Sequence, residues 1–156
     1  MSTATAQANA KNMSPMKYAD QLWSIIIRSI GRCELRGAFP HQCSGALQGM
    51  HLDGRTNYDL RHELFNGICG CQGAHTYWTY KSKTSKGQRE WEKYLSLNFP
   101  EKHRKVFVEE HERIIKRDYK KIAQELEGII RVVIFNHTYA DKDQRVIDRI
   151  TKGETK

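Results

Sequence analysis

Residues 47–77 read LQGMHLDGRTNYDLRHELFNGICGCQGAHTY, and the order of strand, turn and helix signals in this stretch decides the fold that we expect. Ala46 to Leu52 predicts a short strand, and the Gly-Arg-Thr-Asn run at 54–57 predicts the turn that follows it. Asn66-Gly67 is a second turn signal, and Gln72 to Tyr80 predicts a helix. The stretch therefore predicts a strand, a loop and a helix in succession.

Two histidines lie at the ends of these predicted elements. His51 would stand at the end of the strand and His75 in the first turns of the helix. A neutral imidazole is the commonest metal ligand, and it is also well suited to accept a proton near neutral pH. The pair therefore suits a base and a metal ligand. The alternative is that each is a surface or hydrogen-bonded histidine without a chemical role.

The order of residues around this pair resembles the HNH endonuclease family in its phage-type, treble-clef form, and the resemblance extends from Leu22 to Tyr80. It is carried by the run from Cys43 to His51, followed by Arg55, Arg61, Asn66-Gly67, Cys71 and Ala74-His75. The resemblance implies the ββα-metal fold, in which a two-stranded hairpin is followed by a helix.

The resemblance also implies a role for each of three residues. His51 resembles the general base that activates the attacking water, and His75 resembles a ligand of a catalytic Mg²⁺ or Mn²⁺ ion. Asn66 resembles the residue that braces the loop and so holds the His51 ring in position. Phosphodiester cleavage needs a deprotonated water, in-line geometry and positive charge on the departing oxygen, which one base and one cation can provide.

Several basic residues near these positions are candidates for contacts with nucleic acid. Arg55 or Arg61 could clamp the scissile phosphate, because a guanidinium matches phosphate oxygens in a bidentate way. A basic Gly/Ser loop at 81–87 follows the predicted helix and contributes Lys81, Lys83 and Lys86. Aromatic residues beside these lysines could stack on bases, although aromatics at helical spacing are more often core.

The sequence departs from the family pattern beside the proposed base. Many members carry Asp or His directly before it, as a second metal ligand, whereas this chain has Met50, a poor ligand for a hard cation. Asp53 is our candidate substitute, since it lies two residues beyond His51.

A second departure concerns structural zinc. Treble-clef members carry two C-x-x-C pairs, but this chain retains one cysteine of each pair and has two others. The resemblance implies a rearranged Zn²⁺ site built from Cys33, Cys43, Cys69 and Cys71. The alternative is that the thiols are small buried hydrophobic side chains.

Composition sets the broader class. The chain has 156 residues, which suggests one domain with an appended arm, and its formal net charge of +8 favours a polyanionic partner. The polar N-terminal segment does not resemble a signal peptide, and no apolar run has the length of a membrane span. We therefore expect reduced thiols and a cytoplasmic location, the bacterial host cell if the protein derives from a phage.

The expected fold class is a mostly helical α+β protein with three regions: a disordered tail at 1–16, a nuclease core at 17–98 and a helical extension at 99–156. Hydrophobic spacing predicts a first helix from Tyr18 to Ile30. It also predicts one long helix that begins at Glu101 and carries an apolar stripe from Val108 to Val133. A short terminal helix is expected from Asp141 to Thr151, with Val146, Ile147 and Ile150 facing inward.

The resemblance implies a metal-dependent endonuclease that acts on duplex or branched DNA as a monomer or homodimer, without a membrane partner, in homing, recombination or packaging. The alternative is a noncatalytic DNA-binding protein on a degenerate HNH scaffold, since Met50 and the incomplete cysteine pairs are losses. A third reading is a zinc-organised interaction module within a larger assembly.

Overall fold

The computed structural model describes residues 13–37, 43–111, 116–133 and 141–153, in which helices predominate around one hairpin. The elements in chain order are α1 Pro15–Arg28, β1 Leu47–His51, a 3-10 turn Leu64–Asn66, β2 Gly67–Cys71, α2 Gln72–Lys81, α3 Ser85–Asn98, α4 Pro100–His103, a π-helical turn Arg104–Val108, α5 Tyr119–Val133 and α6 Asp141–Thr151. The predicted mostly helical α+β class is confirmed.

The hairpin is antiparallel, and its two strands are joined by a long loop at 52–66. His51, the last residue of β1, pairs with Gly67, the first residue of β2. The strand that we predict from Ala46 to Leu52 is therefore confirmed. Before the hairpin, residues 34–37 form a turn in which Gly37 has a φ of +84°.

Helix α1 packs against one face of the hairpin and also against α5 and α6. It begins at Pro15, inside the tail expected at 1–16, because the Ser14 hydroxyl caps it by accepting the Lys17 N–H at 3.3 Å. Residues 1–12 lie outside the described part of the chain. The apolar cluster on this side includes Leu22, Trp23, Ile25, Cys69, Leu126, Ile130, Val146, Ile147 and Ile150.

A second apolar cluster covers the opposite face of the hairpin and joins it to α2, α3 and the π-helical turn. Its buried members include Leu35, Met50, Leu60, Ile68, Trp78, Trp91, Leu95 and Val106. Met50 and His51 are consecutive in a pleated strand, so their side chains leave it on opposite faces. The hairpin is thus packed on both sides, which fixes the direction in which His51 points.

The basic loop expected at 81–87 is shorter than predicted. Helix α3 begins at Ser85, because the Thr84 hydroxyl accepts the Gly87 N–H at 3.0 Å and caps the helix. Gly87 also lies so close to the end of α2 that an added Cβ would come 1.8 Å from the Lys81 carbonyl oxygen. Residues 85–87 are therefore the first turn of a helix.

The prediction of a single long helix from Glu101 to Val133 is wrong. After the π-helical turn, Glu109 has extended backbone, and α5 begins only at Tyr119. Asp118 ends the interruption, because its carboxylate accepts the Lys121 N–H at 3.1 Å and caps α5. Residues 112–115, part of the expected stripe, lie outside the described chain. Val108, predicted in the buried stripe, is 65% exposed.

Helix α6 matches the prediction for the C-terminal region, with Val146, Ile147 and Ile150 all buried. It is tied to α1 by an ion pair between Arg28 and Asp143. Among the helices of the described ranges, none has both the length and the apolar character needed to cross a membrane.

Candidate nuclease and metal sites

A cleft of about 320 Å³ lies between the loop that follows β1 and helices α2 and α3. His51 and His75 both line it, as do Asp53 and Arg55. The hairpin explains this convergence, because β1 ends at His51 while β2 leads directly into α2, whose fourth residue is His75. The structure therefore brings both predicted histidines to one cavity.

His51 is half-buried and held from two directions. Its Nε2–H donates to the Arg61 carbonyl oxygen at 2.9 Å, so in the neutral ring the lone pair is on Nδ1. Trp23 stacks on the ring, with a centroid separation of 3.9 Å and an interplanar angle of 8°. Burial lowers the pKa of His51 to about 4, against the opposing effect of the Arg61 hydrogen bond. The ring is therefore neutral at pH 7, with its lone pair on Nδ1.

His75 has the complementary arrangement. Its Nδ1 lies 2.6 Å from Gln48 Oε1, and because an amide oxygen only accepts, Nδ1–H is the donor and Nε2 carries the lone pair. Metal-ligating histidines commonly donate their other N–H to an oxygen in this way. The pKa of His75 is lowered, first by burial and then by the nearby charge of Arg55. His75 is thus neutral and prepared for a ligand role.

Arg55 is exposed on the loop and lines the same cleft. Its positive charge contributes to lowering the pKa of both His51 and His75. The charge of one guanidinium therefore acts on both imidazoles. Its exposure leaves Arg55 as the remaining candidate for the predicted phosphate contact.

Asn66 is fully buried and braces the loop at two points. Its Oδ1 accepts the Asp53 N–H at 2.8 Å, and its Nδ2 donates to the carbonyl oxygens of Asp53 and Leu60 at 3.0 Å each. The Leu52 N–H also donates to the Asn66 carbonyl oxygen at 2.9 Å. This network fixes the loop on both sides of Arg61, whose carbonyl oxygen accepts from His51.

The donor groups in the cleft suit a weakly held cation. Asp53 is half-buried and accepts a hydrogen bond from Asn57 Nδ2 at 2.7 Å through one carboxylate oxygen. Met50 is in the apolar core, 3% exposed. Within the described ranges, His51, Asp53 and His75 do not form a three-ligand cluster. A hard cation here would be coordinated by His75 and Asp53 at most, and water and phosphate oxygens would complete its coordination shell.

Arg61, predicted as a second phosphate contact, has a different position. It is 9% exposed, and its Nε and Nη2 bond both carboxylate oxygens of Asp20 at 2.8 and 2.7 Å. His62 Nε2 donates to the same carboxylate at 2.9 Å. The prediction that Arg61 contacts phosphate is therefore corrected. Its guanidinium is paired with the Asp20 carboxylate within the fold, and its carbonyl oxygen accepts the hydrogen bond from His51.

The three predicted basic-loop contacts differ in their surroundings. Lys81 is half-buried, pairs with Glu90 and donates to Tyr77 Oη at 3.0 Å, so its charge is already matched within the chain. Lys83 and Lys86 are exposed. These two lysines are therefore the stronger candidates for contacts with a polyanion.

A cluster of three thiols forms a second candidate metal centre. The Sγ atoms of Cys33, Cys43 and Cys71 all lie within 4.8 Å of one another. The Cys71 N–H donates to Cys33 Sγ at 3.3 Å, and the Ala74 N–H donates to Cys71 Sγ at 3.4 Å. Burial raises the pKa of Cys71, but hydrogen bonds from backbone N–H groups and from the two other thiols lower it to about 7. The cluster can therefore hold a thiophilic ion such as Zn²⁺.

Cys69 is not a member of this cluster, which corrects the four-cysteine site that we expect from the sequence. It is fully buried on the α1 side of the hairpin, and burial raises its pKa to about 12. Cys71 leaves the strand instead as the capping residue of α2. Cys69 therefore belongs to the core, as the alternative reading of the thiols has it.

Sequence reasoning missed three residues that position the site: Asp20, Trp23 and Gln48. Asp20 holds the loop through Arg61, Trp23 covers His51, and Gln48 orients His75. None of the three has a local signal, because each has its partner far away in the sequence: Gln48 lies 27 positions before His75, Trp23 lies 40 positions before Glu63, and Asp20 lies 41 positions before Arg61.

Comparisons of the chain with protein-family models, curated proteins and solved structures found no match.

Proposed function

We propose that the protein is a metal-dependent endonuclease that hydrolyses phosphodiester bonds in DNA. The observation that carries this proposal is the pair of neutral histidines that line one cleft, each with one ring N–H bonded to the fold and the other nitrogen left with a lone pair. That arrangement provides a base and a ligand beside the same substrate volume.

His51 has the properties of the general base. The Arg61 carbonyl fixes its tautomer, and burial keeps the ring neutral, so that Nδ1 can take a proton from water attacking the phosphorus. The proton moves to Nδ1, and the resulting imidazolium is held by the same carbonyl group. Asn66 supports this role indirectly, because it fixes the loop that carries Arg61.

His75 and Asp53 are the residues that would hold the catalytic cation. A bound Mg²⁺ or Mn²⁺ would supply positive charge to the phosphate and to the departing 3′ oxygen. Gln48 orients the His75 ring for this purpose, as outer hydrogen bonds commonly do for ligating histidines. Arg55 adds a fixed positive charge at the same cleft and would bind a phosphate oxygen.

Charge supports DNA as the polyanion. The chain carries a formal net charge of +8, and Lys83 and Lys86 are exposed near the junction of α2 and α3, between Ser82 and Gln88, which both line the cleft. These lysines would contact backbone phosphates without reading sequence.

A noncatalytic DNA-binding protein is the second candidate. Met50 favours it, because the ligand commonly found at that position is replaced by an apolar side chain packed in the core. This candidate predicts the same salt-dependent affinity for DNA but no cleavage.

A plasmid-nicking assay separates the two. The wild-type protein should convert supercoiled DNA to the nicked or linear form with Mg²⁺ or Mn²⁺ and not with EDTA. His51→Ala should abolish cleavage and keep DNA binding, while His75→Ala should require far more metal. His103→Ala is the matched control, because that histidine packs against Phe107, with ring centroids 5.4 Å apart, and does not line the cleft. Nicking by the His51 variant at the wild-type rate would overturn the proposal, and DNA binding without cleavage by the wild type would support the second candidate.

A further inference from the structure

The imidazole of His51 needs more than one hydrogen bond to define its orientation. The terminal torsion of a histidine is broad, so a single bond at Nε2 leaves the plane of the ring free to rotate about that bond. Trp23 removes this freedom, because its indole lies parallel to the ring at 3.9 Å with an angle of 8°. The bond fixes the direction of the ring, and the stack fixes its plane.

Trp23 is also bonded to the loop that holds His51. Its Nε1–H donates to the Glu63 carbonyl oxygen at 3.1 Å, two residues beyond the Arg61 carbonyl group that accepts from His51. Trp23 itself is 2% exposed, and the bond is partly buried. A single side chain therefore fixes the ring and the loop relative to each other.

The hairpin leaves room for this indole by using glycine at two diagonal positions on its neighbouring strands. An added Cβ at Gly49 would lie 3.0 Å from Trp23 Cζ3, and one at Gly67 would lie 2.8 Å from Trp23 Cζ2 and 2.3 Å from Ile27 Cδ1. Gly67 is the pairing partner of His51. Small residues thus create the space that Trp23 occupies against the proposed base.

We propose that Trp23 is a positioning residue for the reaction, holding the His51 ring in the plane that its proton transfer requires. The inference rests on the nuclease function proposed above. The Nδ1 lone pair lies in the plane of the imidazole, so an indole stacked on the face of the ring orients that lone pair without covering it. A misplaced base lowers the rate of the chemical step and leaves substrate binding to the other residues of the cleft.

The test compares Trp23→Leu and Trp23→Phe with a control of similar burial. Ile25→Ala is the control, since Ile25 is 1% exposed in the same helix and the same apolar cluster but does not stack on His51. Each variant is assayed for kcat and KM on a DNA substrate, and the ring protons of His51 are followed by NMR. Stacking under an indole shifts those protons upfield, and this readout does not depend on activity.

Trp23→Leu should lower kcat about 10- to 100-fold with KM within about twofold, and should move the His51 ring protons downfield. Trp23→Phe, which keeps an aromatic face, should show a smaller loss of kcat and a smaller downfield shift of the His51 ring protons than Trp23→Leu. Ile25→Ala should leave both readouts near their wild-type values after correction for the folded fraction.

Three results would overturn the role of Trp23: unchanged His51 resonances in Trp23→Leu, an unchanged kcat in that variant, or an equal loss of kcat in Ile25→Ala. Cleavage that persists in His51→Ala would instead refute the nuclease proposal itself. The NMR result would still report on the stack, so the two failures are distinguishable.

Discussion

Replacing Asn66 by Ala should destabilise the protein strongly, because this one side chain makes three hydrogen bonds in the loop between the strands. Asn66 is fully buried, and its partners are the Asp53 N–H and the carbonyl oxygens of Asp53 and Leu60. Removing an amide leaves these groups without a partner. The loss is therefore larger than that of three solvent-exposed hydrogen bonds.

The magnitude follows from those contacts. Each buried group left unsatisfied costs about 1–3 kcal/mol, and the Leu60 carbonyl is the most secluded since Leu60 is 2% exposed. Partial access of water to Asp53, which is half-buried, reduces the sum. We expect a decrease of about 3–5 kcal/mol in the free energy of unfolding, a large share of the ~5–15 kcal/mol typical of a folded domain.

Urea denaturation followed by circular dichroism measures this decrease. Asn98→Ala is the matched control, because its Nδ2 donates to the Tyr94 carbonyl oxygen at 2.9 Å but the residue is exposed, and it should cost about 0.5 kcal/mol or less. A loss below about 1 kcal/mol for Asn66→Ala would refute the bracing role.

Asn66→Asp adds a test of sign. The introduced carboxyl keeps the Asp53 N–H as a donor, but its second oxygen faces two carbonyl oxygens, so its pKa should be raised above the usual value. Stability from the protonated form is present at low pH and is lost as the pH rises through the raised pKa. Between pH 8 and pH 5 this variant should therefore become more stable as the pH falls.

Three further predictions concern the groups around the two sites. Hydrogen bonds from Arg61 and His62 outweigh the effect of burial and hold the pKa of Asp20 well below its usual range, so the stability that Asp20 gives is present above about pH 4 and is lost in more acidic solution. Asp20→Asn should lower the free energy of unfolding by about 2–4 kcal/mol at pH 7 and weaken the loss of stability at acid pH, which denaturation at a series of pH values measures. An unchanged loss of stability at acid pH would count against the network. Arg55→Ala should weaken DNA binding and reduce the slope of log affinity against log salt by about 1, which a salt titration by fluorescence anisotropy measures; an unchanged slope would remove its phosphate contact. Wild-type protein produced with Zn²⁺ should contain about one zinc ion per chain by metal analysis. The Cys71→Ser variant should lack this ion, and the Cys69→Ser variant should keep it. Equal zinc contents in the two variants would contradict the three-thiol site.

Local signals predicted the elements that carry the two histidines. The strand that ends at His51 and the helix that presents His75 are where turn residues and capping positions indicate them. The role of Asn66 followed from the family resemblance, and its three hydrogen bonds agree with that expectation. These features depend on residues that are near one another in the sequence.

Contacts between distant residues could not be predicted in the same way. Nothing near Arg61 indicates that Asp20, 41 positions earlier, will neutralise it, so an arginine beside the site was assigned to phosphate. Cys69 and Cys71 both lie in one strand, yet Cys71 also caps α2 and so turns toward Cys33. Which distant residues come into contact depends on how α1 and the segment that follows it pack against the hairpin.

The long helix shows a limit of periodicity. Apolar residues recur at helical spacing from Val108 onward, but spacing does not detect a break when the pattern resumes in register. Glu109 is extended, and the carboxylate of Asp118 provides a new helix start. The apolar spacing alone does not reveal that Asp118 caps a new helix.

The measurement that tests the central claim most directly is a Mn²⁺ titration followed by NMR of the histidine rings. A paramagnetic ion held at the cleft should broaden the ring signals of both His75 and His51 before those of His103, and His75→Ala should suppress the effect. Broadening of neither cleft histidine, or broadening that persists unchanged in His75→Ala, would contradict a cation site between a ligand and a base.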